Sequence, residues 1–134
     1  MVGTSASAAR EARSASSDFL IAAWFLTGGA AVECALRICE DLERSNPGGP
    51  DDPLAIRIGI SSGEVVREGT DMFGIAVNTA FRVCDHARDG RVLVSQDVPP
   101  LVRDPSLQFV SVGDVVLKGF TDAQRLYAVT PLRR

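Results

Sequence analysis

The chain has 134 residues, of which 46% are apolar, and this suffices for one globular domain with its own core. A formal net charge of −3 and scattered basic residues argue against a nucleic-acid partner, because no basic field exists to hold a phosphate backbone. Cys34, Cys39 and Cys84 form no Cys-x-x-Cys pair and the lone His86 completes no tetrahedral metal site, so we expect reduced thiols in a cytoplasmic protein.

The first residues predict little regular structure. Residues 1–17 are rich in Ala, Ser and Arg, which predicts a disordered or irregular start, although the composition is loosely that of an organellar transit peptide. The apolar run 19–26 is far shorter than the roughly 20 residues that cross a bilayer, so we expect no membrane span and interpret it as the beginning of a buried strand. The domain is expected to cover residues 18–130, with a short tail at 131–134.

A helix and a strand region follow. Apolar residues recur at three- and four-residue spacing over 27–44, which predicts an amphipathic helix. Two glycines and two prolines within 45–50 predict a loop that continues to residue 53. Alternating apolar residues over 54–60, and a second short run at 64–66 after Gly63, predict either a hairpin or two short strands.

The second half contains one more helix and then strands. Helical spacing returns over 73–87, and residues 91–95 predict a strand. A short turn or helix is expected around Pro99 and Pro100. Three short β-like runs come last, at 107–112, 115–118 and 125–129. This order predicts an α+β domain with helices packed on one face of a sheet.

Three polar residues around the second predicted helix could form a site. Asn78 and Arg82 are four residues apart and share a helix face, and Asp71 lies just ahead of the helix, seven residues before Asn78. A carboxylate, an amide and a guanidinium suit the base, sugar and phosphates of a nucleotide. The alternative from spacing alone is a solvated polar face on which Arg82 contacts Asp85.

Four ordered motifs extend this pattern beyond the helix. Residues 57–65 read RIGISSGEV, residues 71–82 read DxFGxxVNxAxR, residues 90–95 read GxVLVS, and residues 113–120 read GxxxLKGF. In this order and spacing they resemble the class III adenylate and guanylate cyclase catalytic domain. The resemblance implies a ferredoxin-like cyclase fold, with helices packed on a mostly antiparallel sheet. It also implies an N-terminally truncated domain whose first strand and helices are missing.

The resemblance also implies a reaction and residue roles. Class III cyclases convert a nucleoside triphosphate to a cyclic nucleotide and pyrophosphate with Mg²⁺ or Mn²⁺. Asp71 resembles the base-recognising residue and favours ATP, Asn78 resembles the ribose-positioning residue, and Arg82 resembles the residue that stabilises the transition state. Lys118 belongs to the Lys-Gly signature of the family. We expect a structural role for it, because Phe120 stands where some members have a phosphate-binding lysine.

The metal ligands of the family depart from the pattern. The first metal-binding aspartate is absent, and alignment on Phe25 places the second on Phe19, with Asp18 one residue early. A slip of one residue in a strand turns a side chain to the opposite face. The second base-reading residue, a lysine in the family, would fall near Arg13 or Ser14. We therefore assign no metal ligand in this chain.

Three hypotheses remain open at this point. The chain is a cyclase subunit, expected as a homodimer or as a heterodimer with another cyclase domain, whose site is completed by a partner domain with intact metal aspartates. Alternatively, it is a catalytically inactive cyclase-homology fragment: either a module that dimerises or binds nucleotide, or the decayed product of a gene that lost its 5′ part. An unrelated ferredoxin-like binding module would require four ordered motifs to be accidental.

Overall fold

The computed structural model describes residues 6–13, 18–25, 27–45, 55–69, 71–87 and 91–132. Its elements, in chain order, are β1 (Ala6–Arg13), β2 (Asp18–Phe25), α1 (Gly28–Ser45), β3 (Ala55–Ser62), β4 (Val66–Glu68), β5 (Asp71–Phe73), α2 (Ile75–Cys84), β6 (Arg91–Ser95), β7 (Leu107–Val115) and β8 (Gln124–Pro131). A 3-10 turn at Pro99–Leu101 lies between β6 and β7, where the sequence predicts a turn or short helix.

Six of the strands form one sheet, in the order β2-β1-β3-β6-β8-β7. Only β3 and β6 run parallel, and the other four pairs are antiparallel, which confirms the predicted mostly antiparallel sheet. Strand β4 pairs with β5 in a separate two-stranded ribbon and not with β3. Of the two arrangements predicted for residues 54–66, two separate strands are therefore observed, and the hairpin is not. The predicted run at 107–112 extends through a bulge to Val115 as one strand, whereas the rest of the run predicted at 115–118 is not a strand.

Asp97 links the ends of the two parallel strands. The hydroxyl of Ser62, at the end of β3, donates to one oxygen of the Asp97 carboxylate at 2.6 Å. The hydroxyl of the buried Ser95, at the end of β6, donates to the other oxygen. Because parallel strands finish at the same edge of a sheet, one carboxylate can bridge both ends. These two hydrogen bonds hold the ends of β3 and β6 together at the edge of the sheet where α2 begins.

Helix α1 covers one face of the sheet. The hydroxyl oxygen of Thr27 accepts from the Ala30 N–H at 3.1 Å, which is N-cap geometry at the predicted start of the helix. The buried side of α1 packs on alternate residues of the strands. The core that results contains Ala31, Val32, Ala35, Ile56, Ile58, Ile60, Val92, Val94, Val98 and Val129.

Helix α2 packs on the opposite face, so the prediction of helices on one face is wrong. Side chains alternate between the two faces of a strand, and α2 meets the odd-numbered residues of β3, whereas α1 meets the even-numbered ones. Because β3 carries Gly59 and Ser61 between its isoleucines, it has a second face on which a helix backbone can lie closely. The sheet is therefore covered on both sides along β3.

Residues 6–13 form a strand, and the expected irregular start is wrong for that segment. Strand β1 pairs along its whole length with β2 on one edge and with β3 on the other. The described sheet therefore has no gap of unpaired backbone beside β3, although the sequence predicts that the first strand of the family is missing. The strand is specified by pairing on both edges, since its Ala, Ser, Arg and Glu residues have little β-propensity of their own.

The predicted loop and the predicted tail both lie at the limits of the described residues. The predicted loop at 45–53 falls almost entirely on residues 46–54, which lie outside the described part. Strand β8 runs through Pro131, one residue into the predicted tail. Neither of the two described helices is both long and apolar enough to cross a bilayer.

Candidate functional site

The outward side of α2 carries two of the three predicted site residues. Asn78 is exposed, and Arg82 lies one helical turn further on with a side chain 40% exposed. One guanidinium nitrogen of Arg82 is 3.8 Å from a carboxylate oxygen of Asp85, which is too far for a hydrogen bond. Such a loose, solvent-exposed ion pair contributes little to stability. Arg82 can therefore turn to a ligand at small cost.

The opposite side of α2 is buried, and this fixes which way Asn78 and Arg82 point. Five residues of the helix are buried, namely Ala76, Val77, Ala80, Val83 and Cys84. Their spacing of three and four residues is that of one side of a helix. Rotation of α2 about its axis would expose these residues, so the polar side is held outward.

Gly59 lets α2 approach β3 closely. A Cβ atom at position 59 would lie 2.3 Å from the Cys84 nitrogen, 2.5 Å from the Ala80 carbonyl oxygen and 2.8 Å from the Cys84 Cα. These are backbone atoms of the helix and cannot move aside as a side chain can. Only glycine fits, and this explains a glycine inside a strand of β-branched residues.

Two hydrogen bonds hold the same helix on the same strand. The hydroxyl of Ser61, which is 1% exposed, donates to the carbonyl of Ala76 in the first turn of α2. The thiol of Cys84, in the last turn, donates to the Arg57 carbonyl at 3.4 Å. The sequence reasoning did not assign these positioning contacts. The only signal was that Gly59 and Ser61 interrupt the apolar alternation of β3.

The β4–β5 ribbon leads into α2 through Gly74. Gly74 has φ 128°, and a Cβ atom there would lie 2.8 Å from the Glu64 carbonyl oxygen, so both conformation and space demand glycine. Asp71 opens β5, opposite Glu68 and three residues before Gly74. Its backbone is thus placed just ahead of α2, as predicted. Its side chain is not among those described, so its place on the face of Asn78 and Arg82 stays a prediction.

The Lys-Gly signature forms a tight turn between β7 and β8. The Phe120 N–H donates to the Leu117 carbonyl at 2.9 Å, and Gly119, with φ 89°, takes the position of the turn that requires positive φ. Leu117 is 1% exposed and packs in the core beside α2. Lys118 is exposed, which agrees with a turn-forming role.

The described residues do not fit a metal site. Across the described ranges, no group of three or more His, Cys, Asp or Glu residues is close enough to hold an ion. Asp18 begins β2 opposite Arg13, and Phe19 lies opposite Ala12, but none of these side chains is among those described. The expectation of Mg²⁺ or Mn²⁺ therefore finds no ligand set in the described part of this chain.

Known proteins resemble the chain in sequence and in fold. The adenylate and guanylate cyclase catalytic domain family matches residues 27–131. A putative adenylate cyclase 3 of Rhizobium meliloti (strain 1021) is 28% identical over 106 residues, which are 78% of this chain and 18% of that protein. This chain thus spans about a fifth of the curated relative.

Two solved structures share the fold. An adenylate/guanylate cyclase/hydrolase from Silicibacter pomeroyi superimposes with a TM-score of 0.75 and 23% identity, covering 94% of this chain and 96% of that one. The catalytic core of a rhodopsin-guanylyl cyclase with converted specificity, in complex with ATPαS, has a TM-score of 0.77 and 16% identity, covering 96% of each chain. The family match extends over most of the chain, from the start of α1 to the end of β8. The chain therefore belongs to the adenylate and guanylate cyclase catalytic domain family.

Proposed function

We propose that this domain converts ATP to cyclic AMP and pyrophosphate at a site that it shares with a second cyclase domain. In this reaction the ribose 3′ oxygen forms a bond to the α-phosphorus and loses its proton, while the bond from that phosphorus to the bridging oxygen breaks and pyrophosphate leaves. The observation that supports the proposal is the exposed pair Asn78 and Arg82, one turn apart on a helix whose other side is fixed to β3.

Each predicted site residue has a role that its chemistry suits. The Arg82 guanidinium can donate two parallel hydrogen bonds to phosphate oxygens, and it stabilises charge that builds on them as the bonds exchange. The Asn78 amide can both donate to and accept from the ribose, which orients the 3′ hydroxyl. The Asp71 carboxylate accepts from the exocyclic amine of adenine, a donor that guanine does not offer at that position.

A partner domain completes the site in this proposal. Cyclase domains of this family function as dimers. The described residues supply no metal-ligand group, so the carboxylates that hold the metal would come from the second domain. That partner is a different cyclase domain, because a second copy of this chain would lack the same ligands in its described part, and a cytoplasmic location would give access to ATP.

The proposal is tested by mixing. Purified chain is combined with a cyclase domain that has intact metal aspartates but carries Ala in place of its own Asn and Arg. Cyclic AMP formation from ATP is then measured with Mg²⁺ or Mn²⁺. We expect activity in the mixture and none in either protein alone. Arg82→Ala should lower the rate by about 10²–10³-fold, the usual loss when one transition-state donor is removed.

A matched control separates chemistry from folding. Arg37→Ala removes an exposed arginine from α1, on the other side of the sheet, and should leave the rate of the mixture unchanged. Equal rates for Arg82→Ala and the unaltered chain would contradict the proposal. GTP should be a poorer substrate than ATP, and Asp71→Ala should reduce that preference.

The second candidate function is an inactive cyclase-homology module that dimerises or binds nucleotide. The lack of a metal-ligand group within the described ranges favours it. On this alternative, the chain binds ATP or the partner domain, but every mixture is silent. Cyclic AMP formation in the mixture distinguishes a catalytic subunit from this module, and titration calorimetry with a non-hydrolysable ATP analogue then shows whether a silent chain binds nucleotide.

A further inference from the structure

A groove lies on the α2 side of the sheet, beyond the strands that α2 covers. Helix α2 packs on β1, β3 and β6, and β8 and β7 continue the same face past it. The groove has a volume of about 390 Å³, within the range of about 300–1,000 Å³ that is usual for small-molecule sites. Its described walls are His86, Arg91, Leu93, Val112, Val115, Leu126 and Ala128.

The floor of the groove is apolar. Leu93 pairs with Ala128, and Ala128 pairs with Val110, so these three side chains form one row on one face of the sheet. Leu126 continues the floor and is fully buried. Val112 lies at the bulge of β7 and is 51% exposed, which makes it an apolar lip open to solvent. The apolar part of a ligand that lies along this row would cover the exposed part of Val112 and remove it from water.

One end of the groove is cationic and polar. Arg91 lines the groove and also an adjoining cavity of about 520 Å³, whose walls include Gln108 and Thr130. Gln108 and Thr130 are paired across β7 and β8, so they lie side by side. Among the described residues that line the two cavities, none is acidic. This end is complementary to an anion.

We propose that the groove binds a small organic carboxylate with an aromatic or aliphatic body. The carboxylate is held by Arg91, with Gln108 and Thr130 at the polar end, and the body lies on Leu93 and Ala128. The site shares no residue with Asp71, Asn78 or Arg82, so the inference is independent of the proposed function. The cavity volume favours a small molecule over a protein partner, which needs a far larger contact area.

The probe is 2-naphthoate, with 2-naphthalenemethanol as its neutral counterpart. Both are titrated into the ¹⁵N-labelled chain, and amide shifts are followed by NMR. We expect saturable binding of 2-naphthoate, with shifts concentrated in β6, β7 and β8 next to the groove. The alcohol should bind about tenfold more weakly, because it cannot form the charge-assisted pair with Arg91.

Two variants decide the assignment. Arg91→Gln should weaken 2-naphthoate binding about tenfold while leaving the alcohol unaffected, and Arg91→Lys should retain part of the affinity. Arg103→Gln, an exposed arginine in the loop before β7, is the matched control and should change nothing. No saturable binding at 10 mM probe, equal binding of acid and alcohol, or equal affinity in Arg91→Gln would each overturn the proposal.

Discussion

Gly59→Ala tests the inference that a glycine contact sets the position of α2. The new Cβ atom would lie 2.3 Å from the Cys84 nitrogen, whereas ordinary van der Waals contact begins at 3.4 Å, so the helix must retreat by about 1.1 Å there. Forcing extra volume into a packed core costs roughly 1–3 kcal/mol, and backbone neighbours place this site at the upper end. Alanine recovers only about 0.5–1 kcal/mol of backbone entropy. We expect a net loss of about 2 kcal/mol.

Urea denaturation followed by circular dichroism measures this loss. A loss of 2 kcal/mol lowers the free energy of unfolding substantially in a domain of this size, and Tm should fall by about 6–10 °C. Gly29→Ala is the matched control, because nothing lies within 4 Å of its added Cβ and position 29 is helical. It should leave stability unchanged or raise it by about 0.5 kcal/mol. A Gly59→Ala protein as stable as the unaltered chain would refute the reasoning.

The same substitution bears on the proposed chemistry. Displacement of α2 by about 1 Å would move Asn78 and Arg82 with it. A misplacement of that size in a catalytic group can lower the rate about 10²-fold. Gly59→Ala should therefore impair the mixed cyclase assay at temperatures where the variant is still folded. Full activity there would show that the site tolerates the shift.

Three further predictions follow from buried groups. Ser61→Ala removes the hydroxyl that donates to α2 and should cost about 1 kcal/mol in urea denaturation, whereas Thr121→Val, which removes an exposed hydroxyl, should cost little. Leu126→Ala leaves a cavity in a fully buried position and should cost about 2–5 kcal/mol, against less than about 1 kcal/mol for Leu132→Ala at a half-exposed position. Burial, together with nearby glutamates, raises the pKa of the Cys39 thiol. Alkylation of Cys39 near pH 8.5 should therefore be slower in the folded chain than in urea. The contribution of this thiol to the free energy of unfolding should fall as pH rises past the pKa of the unfolded state.

Periodicity predicted the elements that depend on local pattern. Helix α1 begins within one residue of the predicted start, and strand β6 has the predicted bounds. Both carry strong signals, since α1 has a regular apolar stripe and β6 is a run of β-branched and aliphatic residues between turn signals. The predicted end of α2 was about three residues late, because Asp85 and His86 form a turn and not a further helical turn.

Long-range pairing could not be read in the same way. Strand β1 contains mostly alanine, serine and charged residues, and nothing local distinguishes it from an irregular segment. It becomes a strand because β2 and β3 offer hydrogen-bonding edges on both sides. The two-face arrangement was missed for a related reason. The helix-facing side of β3 contains Gly59 and Ser61, which leave no hydrophobic signature, although Gly59 permits the close approach of α2.

For the candidate site, the sequence predicts that Asn78 and Arg82 lie close together but not the direction in which they point. Asn78 and Arg82 could be paired from sequence because a helix converts a spacing of four into proximity. Their orientation could not be, since it depends on Gly59, Ser61 and Cys84 holding the other side of α2. The motif at 57–65 is thus explained by packing and not by contact with substrate, because it forms the surface on which α2 packs. A domain that retains this surface keeps the geometry of its Asn and Arg, whichever chain supplies the metal.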